Sequence, residues 1–165
     1  MWRSFPADRV LLSEGGVVAT QTAKCWSLTT TEIELTEGKH YWEVELLSEE
    51  VSCIMIGISR PNLDPKGCYL TSGCTDGWFI GANFAALYGN GKYSGGEASG
   101  YKQGDRVGVL LDLDNGSLRF FKNGVEHGPG YAAGSVTGPV EAAVNMYGTA
   151  DSVRLLPNAE APAGV

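Results

Sequence analysis

The chain has 165 residues, 43% apolar and 19% charged, which fits a globular domain with a packed core rather than a disordered chain. A net charge of −7 and a pI near 4.8 argue against nucleic acid as a partner, and no Lys/Arg cluster offsets that charge locally. No apolar run reaches the roughly 20 residues that cross a bilayer. The start, MWRSFPADRV, lacks the apolar stretch of a signal peptide, so a cytoplasmic, intracellular protein without a membrane partner is expected. Its four cysteines, Cys25, Cys53, Cys68 and Cys74, are then expected to be unpaired thiols.

In chain order, period-two alternation predicts strands almost throughout. In "HYWEVELL", Trp42, Val44 and Leu46 share one face, and Tyr41, Glu43 and Glu45 the other. "SCIMIGIS" is continuously apolar, as a strand covered on both sides would be. Two longer segments, 60–77 and 81–103, are predicted as loops, the places where a rigid sandwich carries function. "RVGVLLDL" aligns Val107, Val109, Leu111 and Leu113. "PVEAAVNMY" aligns Val140, Ala142, Val144 and Met146, and "DSVRLL" is a closing strand. Nothing has the caps and sustained 3.6-residue repeat of a helix. Short strands separated by glycine turns predict an all-β sandwich, one domain over residues 1–157 with a flexible tail at 158–165.

The stretch "DLDNGSLRFF" poses a choice between metal site and turn. Counted from Asp112, a calcium loop needs Gly at its sixth position and Glu at its twelfth, and these are Ser117 and Asn123. Asn115-Gly116 instead signals a type I′ hairpin, repeated at Asn123-Gly124. Asp114 is expected to cap the turn, and Asp112 to lie on the exposed face. Glu43 and Glu45 loosely resemble the acids of a β-sandwich glycosidase, but Ser48 stands where a third acid belongs. "GGEASGYKQ" has Tyr101 where a phosphate loop needs Lys, and neither His40 nor His127 has a metal-ligand spacing. No cofactor, metal or catalytic group is called for.

"GKHYWEVEL", "IGIS", "DGWFIG", "GDRVGVLLDLDNGSLRFFKNGVEHG" and "GPVEAAVNMYG", in this order and spacing, resemble a SPRY domain over about residues 38–156. Residues 9–37 are similar to that family's less regular N-terminal part. The resemblance implies a bent, two-sheet antiparallel β-sandwich of the concanavalin-like kind. It also implies a monomeric, non-enzymatic module that binds a protein or short peptide, often beside ubiquitin-ligase modules in adaptor or signalling complexes. Tyr69, in "GCYLTSG", matches a tyrosine lining the peptide pocket of the SPRY–SOCS-box branch, and Tyr147-Gly148 falls where that branch has Trp-Gly. The Arg and Pro of that branch are absent from "ATQTA" at 19–23, and Ser72 replaces a pocket leucine. The implied partner-binding set is Arg60, Tyr69, Leu70, Thr71, Met146, Tyr147 and Gly148, gathered at one end of the sandwich. The alternative is a carbohydrate-binding or glycan-processing sandwich of the same architecture, although the galectin-type His-x-Asn-x-Arg signature is absent.

Overall fold

Alternating side chains and glycine turns build two antiparallel sheets face to face. A computed structural model describes residues 1–5, 8–31, 33–61, 76–89, 92–94 and 98–165. Among them the strands are β1 (Trp2–Phe5), β2 (Val10–Ser13), β3 (Val18–Gln21), β4 (Ser27–Thr31), β5 (Lys39–Leu46), β6 (Met55–Ser59) and β7 (Gly77–Gly81). Then follow β8 (Leu87–Gly89), β9 (Lys92–Ser94), β10 (Arg106–Asp112), β11 (Ser117–Lys122), β12 (Val125–Glu126), β13 (Glu141–Met146) and β14 (Ser152–Leu156). The first sheet has the order β1-β4-β13-β6-β7-β8-β9 and the second β12-β11-β10-β5-β14-β3-β2. The one helical element among the described residues is a 3-10 turn at Glu14–Gly16.

The core lies between the sheets, where alternation places it. Ile56, Ile58, Trp78, Ile80, Ala142, Val144 and Met146 from the first sheet meet Trp42, Val44, Leu46, Val107, Val109, Leu111, Val153 and Leu155 from the second. At roughly 25 cal/mol per Å² of apolar surface removed from water, such a layer is the main favourable contribution to folding.

Three local expectations change. The segment 81–103 is not a loop throughout: β8 and β9 extend the first sheet through it. Within residues 9–37, expected to be less regular, β2, β3 and β4 are nonetheless all in ladders. The turn at Asn115-Gly116 is wider than a two-residue type I′ hairpin. Asp112 pairs with Ser117, four residues lie between them, and within the turn only Gly116 takes a positive φ, +75°. Asp112 holds that loop from a buried position: its Oδ1 accepts from the N–H of Asp114 (3.1 Å) and Asn115 (3.2 Å), and Oδ2 lies 3.4 Å from Lys39 Nζ. Asp114 Oδ1 accepts instead from Gly38 N–H, at 2.9 Å, which ties the loop to the start of β5. The second Asn-Gly fits type I′, with φ of +51° at Asn123 and +84° at Gly124 between the paired Lys122 and Val125.

Candidate partner-binding site

The first sheet also buries side chains on the face turned away from the core. Leu28, Met55, Phe79 and Ala143 form a second apolar cluster there, with Trp26 and Tyr88 packed against it. The register explains the grouping. Leu28, Asn145 and Met55 stand side by side on β4, β13 and β6, and Ala143, Gly57, Phe79, Tyr88 and Tyr93 form the next row outward to the sheet edge. At the end of this face, just past the ends of β4 and β13, Trp26 and Tyr147 pack ring on ring, with centroids 5.1 Å apart and planes tilted 47°. Both rings are half-buried. Beneath them Asn145 is 1% exposed, and neither its carboxamide oxygen nor its nitrogen has a hydrogen-bond partner. A buried amide left unmatched costs about 1–3 kcal/mol, so it marks a place where a partner's polar group would be rewarded.

The turn after Tyr147 is held by Asp151. Its Oδ2 accepts from the N–H of Gly148 at 2.7 Å and of Tyr147 at 3.3 Å. Burial raises the Asp151 carboxyl above the usual aspartate range, against the lowering effect of those two N–H groups. Gly148 serves this cap: a Cβ there would stand 2.8 Å from Asp151 Oδ1. Its lack of a side chain is thus required within the chain, whatever approaches from outside.

The predicted set does not converge on one spot. Tyr147 and Gly148 lie together at the end of β13. Met146, adjacent in sequence, has its side chain wholly buried in the inter-sheet core, because neighbouring strand residues point to opposite faces. Arg60 is at the other end of the sheet. It follows Ser59, which pairs with Glu141, whereas Met55 pairs with Asn145 beside Tyr147. The Arg60 guanidinium donates to the carbonyl of Thr137, to Thr137 Oγ1 at 2.6 Å and to the carbonyl of Pro139 at 3.0 Å, and its Cζ stands 5.1 Å from the Trp78 ring centroid. Tyr69, Leu70 and Thr71 lie outside the described residues, as do Cys68 and Cys74, while Cys25 and Cys53 are free thiols.

Trp26 and Asn145 were not singled out from sequence. Asn145 carried a legible signal, as a polar residue inside the apolar run "VEAAVNMY". Trp26 had none of its own, since only the non-local pairing of β4 with β13 brings it to Tyr147.

The acids weighed as catalytic are engaged in cross-strand charge pairs on the outer face of the second sheet. Glu43 accepts from Tyr41 Oη at 2.9 Å and faces Arg106 at 3.3 Å, while Glu45 faces Arg154 at 3.0 Å. The proximity of Glu43 adds to burial in pushing the Tyr41 phenol upward. Among the described residues no three His, Cys, Asp or Glu side chains converge as a metal site. Among them, too, no helix is long and apolar enough to cross a membrane.

Two facing antiparallel sheets define a β-sandwich. The sequence matches the SPRY domain family over residues 39–158, and the chain belongs to that family, whose domains are protein-interaction modules rather than enzymes. SPRY domain-containing SOCS box protein 3 from Xenopus tropicalis, and the same protein from Xenopus laevis, are each 34% identical over 95 residues, 54% of this chain. That stretch is about a quarter, 26%, of each relative's length. The SPRY domain of human HERC1 superposes with a TM-score of 0.77 at 21% identity, covering 92% of this chain and 94% of that one. The TRIM65 PSpry domain does so at 0.68 and 17% identity, covering 89% and 85%. At these identities the structural likeness speaks for the fold.

Proposed function

We propose that the chain is the recognition module of an adaptor, binding a short segment of a partner protein at the Tyr147 end of the first sheet's outer face. The observation that carries this is the half-buried Trp26–Tyr147 ring pair above the unmatched Asn145 carboxamide. Aromatic rings with part of their surface in solvent supply contact area at low entropic cost, and the buried carboxamide beneath them has hydrogen-bonding capacity that nothing among the described residues uses. Tyr69, Leu70 and Thr71 remain part of the proposed set on the strength of the family resemblance. Met146 and Arg60 are assigned to the core and to the opposite end. The relatives that carry a SOCS box in their name support a role in selecting substrates for a ubiquitin-ligase complex. A glycan-directed role has less support, because Glu43 and Glu45 are tied up by arginines. The test is affinity capture with this chain followed by peptide-array mapping of the captured proteins. Discrete short peptides that compete with the captured protein support the reading, and binding only to glycans contradicts it.

A further inference from the structure

β5 has a main-chain edge that nothing in the chain completes. β10 accompanies it from Lys39 to Glu45, but on its other side β14 pairs only from Glu43 to Leu46. β14 ends at Leu156, and at Pro157 the chain turns off, with Ala159 N–H reaching back to Leu156 O at 3.4 Å. Ladder alternation then tells which groups are left over. Leu46 bonds across to Asp105 and Gly104 on the β10 side (3.0 and 2.8 Å), and Gly38 O accepts from Leu113 there at 2.9 Å. Leu47 N–H donates at 2.9 Å to Ser152 on the other side. The odd-numbered residues of β5 therefore turn toward β14, and the N–H and C=O groups of Tyr41 and Lys39 have no ladder partner on that side among the described residues.

The same place is hollow. A cavity of about 320 Å³ opens between the sheets beside Lys39–Trp42, walled by Trp42, Leu35, Ala142 and Leu155, with Ile33 and Pro157 exposed at its mouth. Trp42 is buried there with an indole N–H that has no acceptor. In antiparallel pairing, directly opposed residues point to the same face; the place opposite Trp42 falls to Pro157, so a residue set opposite His40, which shares the inner face with Trp42, would send its side chain inward, into this cavity. The segment leading into β5 carries exposed Glu34 and Glu37, whose carboxylates form no ion pair among the described residues, whereas Lys39 is held by Asp112 at 3.4 Å. The local charge open to a partner is therefore negative, in keeping with the net −7 of the chain.

We propose that the Lys39–Trp42 edge takes up an extended, basic segment of a partner polypeptide as an added strand in line with β14, one apolar side chain filling the inter-sheet cavity. Main-chain bonds to Tyr41 and Lys39 give the register, the cavity selects the apolar residue, and Glu34 and Glu37 select its basic neighbours. This site lies on the second sheet and at the cleft, apart from the Tyr147 end of the first sheet, so it stands or falls independently of the function proposed above.

The test uses an acetylated, amidated pentapeptide, Lys-Leu-Lys-Val-Lys, titrated into the full chain while main-chain amide exchange is followed residue by residue. Exchange at Lys39 and Tyr41 should slow by about tenfold or more at saturation, and that at His40 and Trp42, already in the β10 ladder, should stay as it was. N-methylation of the peptide's central amides, or Glu in place of its lysines, should abolish the effect. Ala142→Leu, which fills the cavity, should do the same with the fold retained. Lys39→Pro provides a second variant, since it removes an edge N–H that β10 does not use. Unchanged exchange at Lys39 and Tyr41, or equal binding of the acidic or N-methylated peptide, overturns the proposal. So does protection that rises with protein concentration without peptide, which would assign the edge to a second copy.

Discussion

Asp151 shows how one residue both shapes and strains the proposed site. Its carboxylate caps the Tyr147–Gly148 turn yet is buried, which raises its pKa. The folded state then holds a proton more readily than the unfolded chain, so this residue's contribution to stability falls as pH rises from the ordinary aspartate range near 4 through the raised value. Asp151→Asn keeps an oxygen to accept from both N–H groups and removes the buried charge. We expect a melting temperature at neutral pH equal to or above that of the parent, with a flatter pH dependence in the acid window, read by thermal denaturation across pH. A clear loss at neutral pH would mean that the charge itself holds the turn. For partner binding the informative pair is Tyr147→Ala and Arg60→Ala. Truncating Tyr147 is expected to weaken a mapped peptide by about 2 kcal/mol, roughly thirtyfold, with little change in melting. Arg60→Ala removes bonds to Thr137 and Pro139 and the contact over Trp78, so it should lower stability by about 1–3 kcal/mol and leave the affinity of the folded protein intact. Calorimetry and peptide titration of both variants separate the two effects.

At the scale of elements, the β10–β11 hairpin separates what local pattern reveals from what it conceals. The strands were legible because Val107, Val109 and Leu111 alternate with residues of the opposite face, and the turn because Asn-Gly marks it. The turn's width was not, since it depends on Asp112 folding its carboxylate over the loop and on Asp114 reaching Gly38, 76 residues away in the chain. Gly116→Val should cost several kcal/mol: a β-branched residue at positive φ is strained by roughly 1–3 kcal/mol, and its Cβ would also stand 2.7 Å from Val136 O. Asp112→Ala should cost about 1–3 kcal/mol through two lost N–H bonds. Asp112→Asn, which keeps an acceptor and loses only an ion pair to an exposed lysine, should cost under about 1 kcal/mol. Urea denaturation of the three variants checks the order. The same parity rule places Met146 inward and Tyr147 outward, and it is legible in the alternation of "PVEAAVNMY". The separation of Arg60 from Tyr147 was not readable, because it follows from the register of β6 against β13, a pairing across some 85 residues that no local pattern fixes.

For the whole molecule, the two-sheet fold is common to many recognition domains, so the fold alone leaves open which surface this chain uses. Two aromatic regions compete on the first sheet: the half-buried Trp26–Tyr147 pair, and the stretch from the β7–β8 turn to β9, where Phe84 and Tyr93 are 64% and 63% exposed. That stretch is richer in open aromatic surface. The Tyr147 end adds the unmatched Asn145 amide and the Asp151-held turn, which make it the better prepared of the two. The most direct measurement is a peptide array, built from proteins captured by this chain, probed side by side with the parent, Tyr147→Ala and Phe84→Ala, each verified as folded. The account predicts that peptides bound by the parent disappear with Tyr147→Ala and persist with Phe84→Ala. Persistence with Tyr147→Ala and loss with Phe84→Ala would contradict it and place recognition at the β7–β8 turn.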